Sequence, residues 1–337
     1  MGTQGDREMV FAMDLETGKP EWATPTGGNA FKDGQGNGPR GTPTIDGNEL
    51  YALGAGGDLV CLNAENGTVR WSKNILREFG GNNITWGISE SVLIDGENLI
   101  CTPGGRQGTV VALNKNTGNP VWRSNIPGNP AAGYASPIAI DVDGVRQYAV
   151  FTSRGLAGIR ARDGEPLWGD DSASNGTANC STALFDDDHV FYASGYGTGG
   201  SLVKLSTAGS TTKADRVYHS DDMKNHHGGM VELDGNLYGS NDPGILTCLD
   251  FKTGNVKWRD RSVGKGSLTY ADGHLYVRSE GGPVALIEAK PDGYSEKGRF
   301  DQPQRSNKPA WAHPVVADGK LFLRDLDILL VYDVKAK

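Results

Sequence analysis

One repeated pattern restricts the folds that this chain can adopt. In each copy a short turn, often Asp-Gly, joins two predicted strands, and a third strand and a second turn lead to an aromatic residue. These aromatic residues are Trp22, Trp71, Trp122, Trp168, Tyr218, Trp258 and Phe300. They recur at intervals of roughly 40 to 51 residues, which is the range of a four-stranded propeller blade. The pattern therefore predicts an all-β repeat fold.

Residues 41–71 show the physical basis of one copy. TPTI predicts a first strand, and Asp46-Gly47 predicts a two-residue turn in which glycine accepts a positive φ. GNELYALG, LVCLN and VRW predict the next three strands. A single sheet of this kind leaves apolar surface uncovered, so the copies must stack. The aromatic residue at the end of each fourth strand is expected to wedge between adjacent sheets and to serve packing, not catalysis.

The two ends of the chain affect the blade count. The start, REMVFAMDLETGKPEW, predicts only a third and a fourth strand, whereas the end predicts three strands. We expect the two ends to share one blade and so to close the ring, which gives seven blades; eight remains the alternative. Residues 1–337 are thus predicted to form a single β-propeller domain of seven or eight four-stranded antiparallel blades.

Charge and hydropathy narrow the possible partners. The net charge of −8 disfavours binding to nucleic acid or to anionic lipid, because both need a basic surface. No apolar stretch approaches the ~20 residues of a transmembrane helix. The N-terminal residues lack the pattern of a signal peptide, so the protein is either cytoplasmic or exported with its signal absent from this sequence. The four cysteines have no CxxC spacing.

A candidate site follows from the propeller topology. The segments just before each first strand, here called lead-in segments, meet at one end of a propeller and differ in sequence from copy to copy. Their polar and aromatic side chains are Arg40, Trp86, Glu90, Tyr134, Asn179, His226, His227, Lys265, Trp311 and His313. Aromatic surface with a few polar groups suits a small-molecule or peptide site. The alternative is that these are solvated loops whose histidines cap backbone groups.

Metal binding and catalysis receive less support from the sequence. His226, His227 and His313 could supply imidazole ligands, but adjacent strand residues face opposite ways, so at most one of the pair is expected to contribute. Asp141-x-Asp143-Gly144 lacks the later ligands of a calcium loop and is interpreted as a turn. No nucleophile elbow is present. We therefore predict neither a metal site nor catalytic residues.

The segments AMDLETGKPEW and ALNKNTGNPVW resemble the tryptophan-docking motif of the pyrroloquinoline-quinone (PQQ) repeat superfamily. That superfamily includes quinoprotein alcohol dehydrogenases and the propeller lipoprotein of the outer-membrane β-barrel assembly machinery. RGTPTIDGNELYALGAGGDLVCL is similar to the PQQ-like β-propeller proteins of planctomycetes. The resemblance covers essentially the whole chain. It implies a propeller fold, usually of eight blades, and a periplasmic or secreted location.

The resemblance also indicates which functions to expect. The dehydrogenases of the superfamily carry an adjacent cysteine pair, a calcium ion and an aspartate base, and this chain has no adjacent cysteines. We therefore expect a non-enzymatic scaffold of the cell envelope that binds a protein or peptide and needs no cofactor. One alternative is a PQQ-dependent alcohol dehydrogenase with calcium. The other is binding of a small ligand such as a saccharide against Trp86, Tyr134 and Trp311.

Overall fold

Antiparallel strands joined by short turns form eight sheets in succession along the chain. The computed structural model describes residues 1–335. Sheet 1 contains β1 Gly2–Gln4, β2 Arg7–Met13 and β3 Pro20–Asn29. Sheet 2 contains β4 Thr44–Asp46, β5 Glu49–Leu53, β6 Asp58–Asn63 and β7 Val69–Asn74. Sheet 3 contains β8 Leu93–Asp95, β9 Asn98–Cys101, β10 Val110–Asn114 and β11 Pro120–Ser124. Sheet 4 contains β12 Ile138–Val142, β13 Val145–Thr152, β14 Gly155–Arg160 and β15 Pro166–Asp170.

The second half of the chain continues the same order. Sheet 5 contains β16 Leu184–Asp186, β17 His189–Ser194, β18 Gly199–Ala208 and β19 Thr211–Ser220. Sheet 6 contains β20 Val231–Leu233, β21 Asn236–Asn241, β22 Ile245–Asp250 and β23 Val256–Asp260. Sheet 7 contains β24 Gly266–Ala271, β25 His274–Ser279, β26 Val284–Glu288 and β27 Glu296–Phe300. Sheet 8 contains β28 Val315–Ala317, β29 Lys320–Asp325 and β30 Ile328–Asp333.

This succession is that of an eight-bladed β-propeller, which confirms the predicted all-β fold and selects the larger blade count. The type copy is also confirmed, because Asp46 pairs with Glu49 and Gly47 has φ +58° in the hairpin turn. The predicted sharing of one blade by the two ends is corrected, since each end forms its own three-stranded sheet. Strand β1 was not predicted from the sequence; it pairs with β2 across a turn that contains Gly5.

One helix interrupts the strands in residues 1–335, and the sequence reasoning did not predict it. Helix α1, Ile75–Phe79, follows β7. Asn74 caps its N-terminus by accepting the Arg77 N–H, and Gly80 ends it in the left-handed conformation. Nothing described for residues 1–335 combines the helical length and the apolar character that a membrane span requires.

The described chain divides into two compact units. Unit 1 comprises residues 1–171 and 206–213, and unit 2 comprises residues 172–205 and, of the described residues, 214–335. In unit 1, one core joins sheets 2 and 3 through buried side chains such as Leu59, Leu99 and Val111. In unit 2, a comparable core joins sheets 6 and 7 through Leu246 and Ile287. Each core arises because the alternating apolar residues of one sheet cover those of the next.

The aromatic residue at the end of a fourth strand contacts the turn of the following sheet. In unit 1 the indole N–H of Trp71 donates to the Lys115 carbonyl, with a donor–acceptor distance of 2.9 Å. Its ring lies against Gly118, where a Cβ atom would come within 2.8 Å of ring carbon. In unit 2, Trp258 donates in the same way to the Lys290 carbonyl at 2.9 Å. These indoles connect neighbouring sheets through packing and a backbone hydrogen bond.

Candidate functional site

Strand alternation decides which loops can contribute to one site. Successive antiparallel strands run in opposite directions, so each lead-in segment lies at the same edge of its sheet as the turn between the second and third strands. We call this the lead-in edge. In unit 1 it carries Arg40, Trp86, Glu90 and Tyr134 of the predicted set. In unit 2 it carries Asn179, His226, His227, Lys265, Trp311 and His313.

In unit 1 the structure brings Arg40, Trp86 and Tyr134 together. The Arg40 guanidinium donates to the Trp86 carbonyl at 3.1 Å and to the Asp33 carboxylate at 2.6 Å. The rings of Trp86 and Tyr134 lie 5.6 Å apart between centroids and are tilted by 52°. Arg40 is therefore held by backbone and by an ion pair, while the two rings form a small partly exposed aromatic surface.

Glu90 has a different environment, because its side chain turns into the protein. The residue is only 3% exposed, and one carboxyl oxygen, Oε1, accepts the backbone N–H of Thr102 at 2.6 Å. The other oxygen, Oε2, is buried without a hydrogen-bond partner among the described residues. Burial raises the pKa of Glu90 to about 7, against the opposing effect of the Thr102 hydrogen bonds. Glu90 is thus a buried titratable group and does not reach a ligand at the surface.

In unit 2 four rings form a continuous series, which we call the ring row: Tyr196, His226, His227 and Trp311. The centroid distances along the row are 4.4, 4.9 and 6.0 Å. The two imidazoles are nearly parallel, with an interplanar angle of 14°. At the ends of the row Tyr196 is 48% exposed and Trp311 is 43% exposed. The row therefore presents two accessible aromatic rings on either side of two more sheltered imidazoles.

An ion pair lies beside the first imidazole. Lys265 Nζ is 2.8 Å from Asp242 Oδ1 and donates a hydrogen bond of 2.6 Å to Nδ1 of His226. Burial and the charge of Lys265 lower the pKa of His226. Burial alone would raise the pKa of Asp242, but the hydrogen bond from Lys265 brings it below the ordinary value. At neutral pH this group consists of a neutral imidazole and a charge-balanced Lys–Asp pair.

The second imidazole contacts a different carboxylate. Nε2–H of His227 donates to Glu280 Oε2 at 2.9 Å, and the indole N–H of Trp311 donates to the same oxygen at 3.3 Å. The His227 side chain is 7% exposed, and that of Glu280 is 35% exposed. Burial, followed by the neighbouring His226 ring, lowers the pKa of His227. Both donors to Glu280 are therefore uncharged at neutral pH.

Of the two remaining predicted residues of unit 2, one lies in the ring-row cluster and the other stabilises a turn. His313 joins the cluster, because its Nε2 lies 2.7 Å from the His227 carbonyl oxygen. Asn179 is buried and accepts the Asn175 N–H at 3.0 Å, so it stabilises a turn. The expectation that the side chains of His226 and His227 face opposite ways is corrected, since both rings stack in the same row. These residues lie in a bend, where the alternation of a strand does not apply.

The sequence reasoning missed three members of this cluster: Tyr196, Asp242 and Glu280. Each lies in a turn between the second and third strands, in sheets 5, 6 and 7 respectively. The sequence could have indicated them, because the alternating direction of successive antiparallel strands places these turns at the lead-in edge. Tyr196 also has φ +57°, an unusual backbone conformation for a bulky residue. This turn therefore holds the tyrosine ring against His226 in spite of its backbone strain.

The lead-in edge offers aromatic rings and hydrogen-bonding groups to a ligand. Within residues 1–335, no group of three or more His, Cys, Asp or Glu side chains is placed to hold a metal ion. We derive no step through calcium or PQQ. The four cysteines, at 61, 101, 180 and 248, are free thiols. Stacked rings beside charged and neutral hydrogen-bonding groups can hold a flat or cationic ligand.

Similarity to known proteins agrees with this fold. Residues 6–260 match the sequence model of the family described as outer membrane protein assembly factor BamB. No curated protein is significantly similar to the chain. The crystal structure of BamB from Moraxella catarrhalis aligns with a TM-score of 0.67 at 16% identity, over 98% of this chain and 92% of that one. A europium-containing methanol dehydrogenase aligns with a TM-score of 0.59 at 12% identity, over 97% of this chain and 79% of that one.

These two structural similarities lie below 25% identity, so they bear on the fold alone. The family match is different in kind, because it extends over well more than half of the sequence. It also agrees with the repeats and the eight sheets described above. On this basis the chain belongs to the family of the outer membrane protein assembly factor BamB, whose members are PQQ-like β-propellers.

Proposed function

We propose that this protein is a non-enzymatic binding scaffold of the cell envelope, periplasmic or secreted, which holds a protein or peptide partner at its lead-in edge. The observation that carries this proposal is the ring row of unit 2, whose terminal rings, Tyr196 and Trp311, are exposed at the lead-in edge. Tyrosine and tryptophan exposed in this way are enriched where proteins bind one another. The match to an assembly-factor family gives independent support for a protein partner.

The structure supplies a geometric test of this proposal. Trp311 or Tyr196 is replaced by the photo-crosslinking amino acid p-benzoylphenylalanine, and the protein is irradiated in envelope preparations of its host. Val121 receives the same replacement as a control, because it is 52% exposed but lies in β11 of unit 1. We expect one discrete adduct from positions 196 and 311 that is absent from position 121. Equal labelling at all three positions, or no adduct at 196 and 311, would refute the proposed site.

A second candidate function is oxidation of alcohols with PQQ. The specific observation in its favour is the similarity in fold to the europium-containing methanol dehydrogenase. The test is reduction of a dye by the purified protein after addition of PQQ and calcium, with alcohols as substrates. Turnover would favour the enzyme and count against the scaffold.

A third candidate is binding of a saccharide to aromatic surface. The adjacent rings of Trp86 and Tyr134 are the observation that favours it, because sugars stack on exposed ring faces. Titration with saccharides should then change the intrinsic fluorescence, and Trp86→Ala should abolish that change. Fluorescence that stays constant with every saccharide would remove this candidate, and Trp311→Ala tests the ring row in the same way.

A further inference from the structure

Charge is balanced at one end of the ring row and unbalanced at the other. Asp242 has a cation partner in Lys265, at 2.8 Å. Glu280 has no lysine or arginine within ion-pair distance in the part of the chain that the structure describes, and its one ionic contact is to His227. Because burial keeps His227 neutral near pH 7, that contact is a hydrogen bond from an uncharged donor. Glu280 therefore has no cationic partner among these contacts.

Arg305 contacts the backbone of Glu280 but does not pair with its carboxylate. Arg305 donates to the backbone carbonyl of Glu280 at 3.2 Å and to that of Lys308 at 3.1 Å. Its Nε donates to the carboxylate of Asp325 at 3.3 Å, and Asp325 is almost fully buried. The charge of Arg305 is thus committed to Asp325, and the guanidinium holds the Glu280 loop through its backbone.

Both known contacts of Glu280 use the same carboxylate oxygen. His227 and Trp311 donate to Oε2, whereas Oε1 makes no hydrogen bond within residues 1–335, and the side chain is 35% exposed. The Trp311 ring beside it is 43% exposed. A carboxylate next to an accessible indole ring offers a cation two favourable contacts at once, an ionic hydrogen bond and a cation–π contact.

We propose that Glu280 and Trp311 form a subsite for an arginine side chain of the partner protein. A guanidinium is planar, so it can lie on the indole ring while its N–H groups point to the carboxylate. An ammonium group lacks this flat shape and is held more strongly by water. This inference rests on the proposed function, since it names the chemistry of the partner at the same site.

The test uses short peptides as probes of the intact protein. An acetylated and amidated Gly-Arg-Gly-Arg-Gly peptide is compared with the same peptide containing citrulline, which keeps the shape and loses the charge. Binding is followed by the NMR shift of the Trp311 indole N–H. We expect saturable binding of the arginine peptide, at least tenfold weaker binding of the citrulline peptide, and intermediate binding of a lysine peptide.

Two variants and a control assign the binding to this subsite. Glu280→Gln keeps an oxygen acceptor for His227 while it removes the charge, and we expect it to weaken arginine-peptide binding at least tenfold. Trp311→Ala, followed by calorimetry, should also weaken it. Glu165→Gln, which removes an exposed carboxylate in unit 1, should leave it unchanged.

The outcomes separate this inference from the proposed function. Equal binding of the arginine and citrulline peptides, or a Glu280→Gln variant that binds like the wild type, would overturn the arginine subsite. If the subsite fails while crosslinking at 196 and 311 still yields one adduct, the scaffold stands with a partner of other chemistry. If arginine binding is seen and crosslinking fails, the cation site stands and the protein-binding function does not.

Discussion

The stability of this protein should depend on pH through one buried side chain, Glu90. The pKa of Glu90 is raised from an ordinary 4.5 to about 7, because the carboxyl is removed from water. Between these values the folded protein holds a proton that the unfolded chain has released. The stabilisation is therefore complete below pH 4.5 and is lost as the pH rises through 7.

The size of the effect follows from the same values. A difference of one unit in pKa between folded and unfolded states corresponds to about 1.4 kcal/mol. For Glu90 the free energy of unfolding should thus fall by about 3 kcal/mol between pH 4 and pH 8. Glu90→Gln removes this term, because glutamine cannot ionise but still offers an oxygen to the Thr102 N–H.

The assay is urea denaturation followed by tryptophan fluorescence, at several values from pH 4 to pH 8. The measured quantity is the difference in unfolding free energy between Glu90→Gln and wild type. It should shift in favour of the variant by about 3 kcal/mol across this range. The control Glu65→Gln, an exposed turn position, should show no such trend. A difference that stays constant with pH would refute the assignment of a buried, protonated carboxyl.

Three further predictions test packing and electrostatics. Gly118→Ala should lower the free energy of unfolding by about 2–4 kcal/mol, because the alanine would take a left-handed backbone conformation and its Cβ would clash with the Trp71 indole ring. The control Gly96→Ala should cost about 1 kcal/mol, because Gly96 has a similar φ but no atom lies near the added Cβ. Trp122→Phe should cost about 1 kcal/mol more than Trp22→Phe, because the Trp122 indole N–H bonds a carbonyl, whereas that of Trp22 has no partner among residues 1–335. In both cases urea denaturation at pH 7 gives the difference, and equal costs within a pair would contradict the reasoning. The unfolded chain protonates His227 below pH 6.5, while burial keeps the pKa of this residue low in the folded protein, so the contribution of His227 to stability should fall as the pH drops below 6.5. The unfolding free energy of His227→Gln minus that of wild type should therefore rise on the acid side, and a difference that stays constant with pH would show that the imidazole is not buried as described.

The sequence predicted the sheets well because each depends on local chemistry. A turn such as Asp46-Gly47 fixes a hairpin by backbone conformation alone, and alternating apolar residues define which face is buried. The short elements β1 and α1 were missed for the opposite reason. Each has too few residues for a periodic pattern, and α1 was marked only by Asn74 and Gly80 at its ends.

The candidate site was predicted only in part, because it depends on contacts between loops. Topology alone selected the histidines, Lys265 and Trp311 of the lead-in segments, which the structure brings together in unit 2. The prediction failed for His226 and His227 where it assumed a strand, since a bend allows adjacent rings to stack. Glu90 was expected to face a ligand at the surface, but its side chain is buried. The position of a residue within a loop sequence does not determine whether its side chain points inward or outward.

The turns between second and third strands explain how a repeat protein can carry a specific site. Packing requires the same aromatic residue at the end of most fourth strands, so those positions cannot diverge without loss of stability. The turns carry no such requirement, and they hold different residues in different sheets, for example Ala55, Arg154, Tyr196, Asp242 and Glu280. Three of these five belong to the cluster around the ring row. The turn residues at the lead-in edge differ from copy to copy, whereas the aromatic positions of the fourth strands are nearly constant. This contrast is the signal that would have located Glu280 from the sequence.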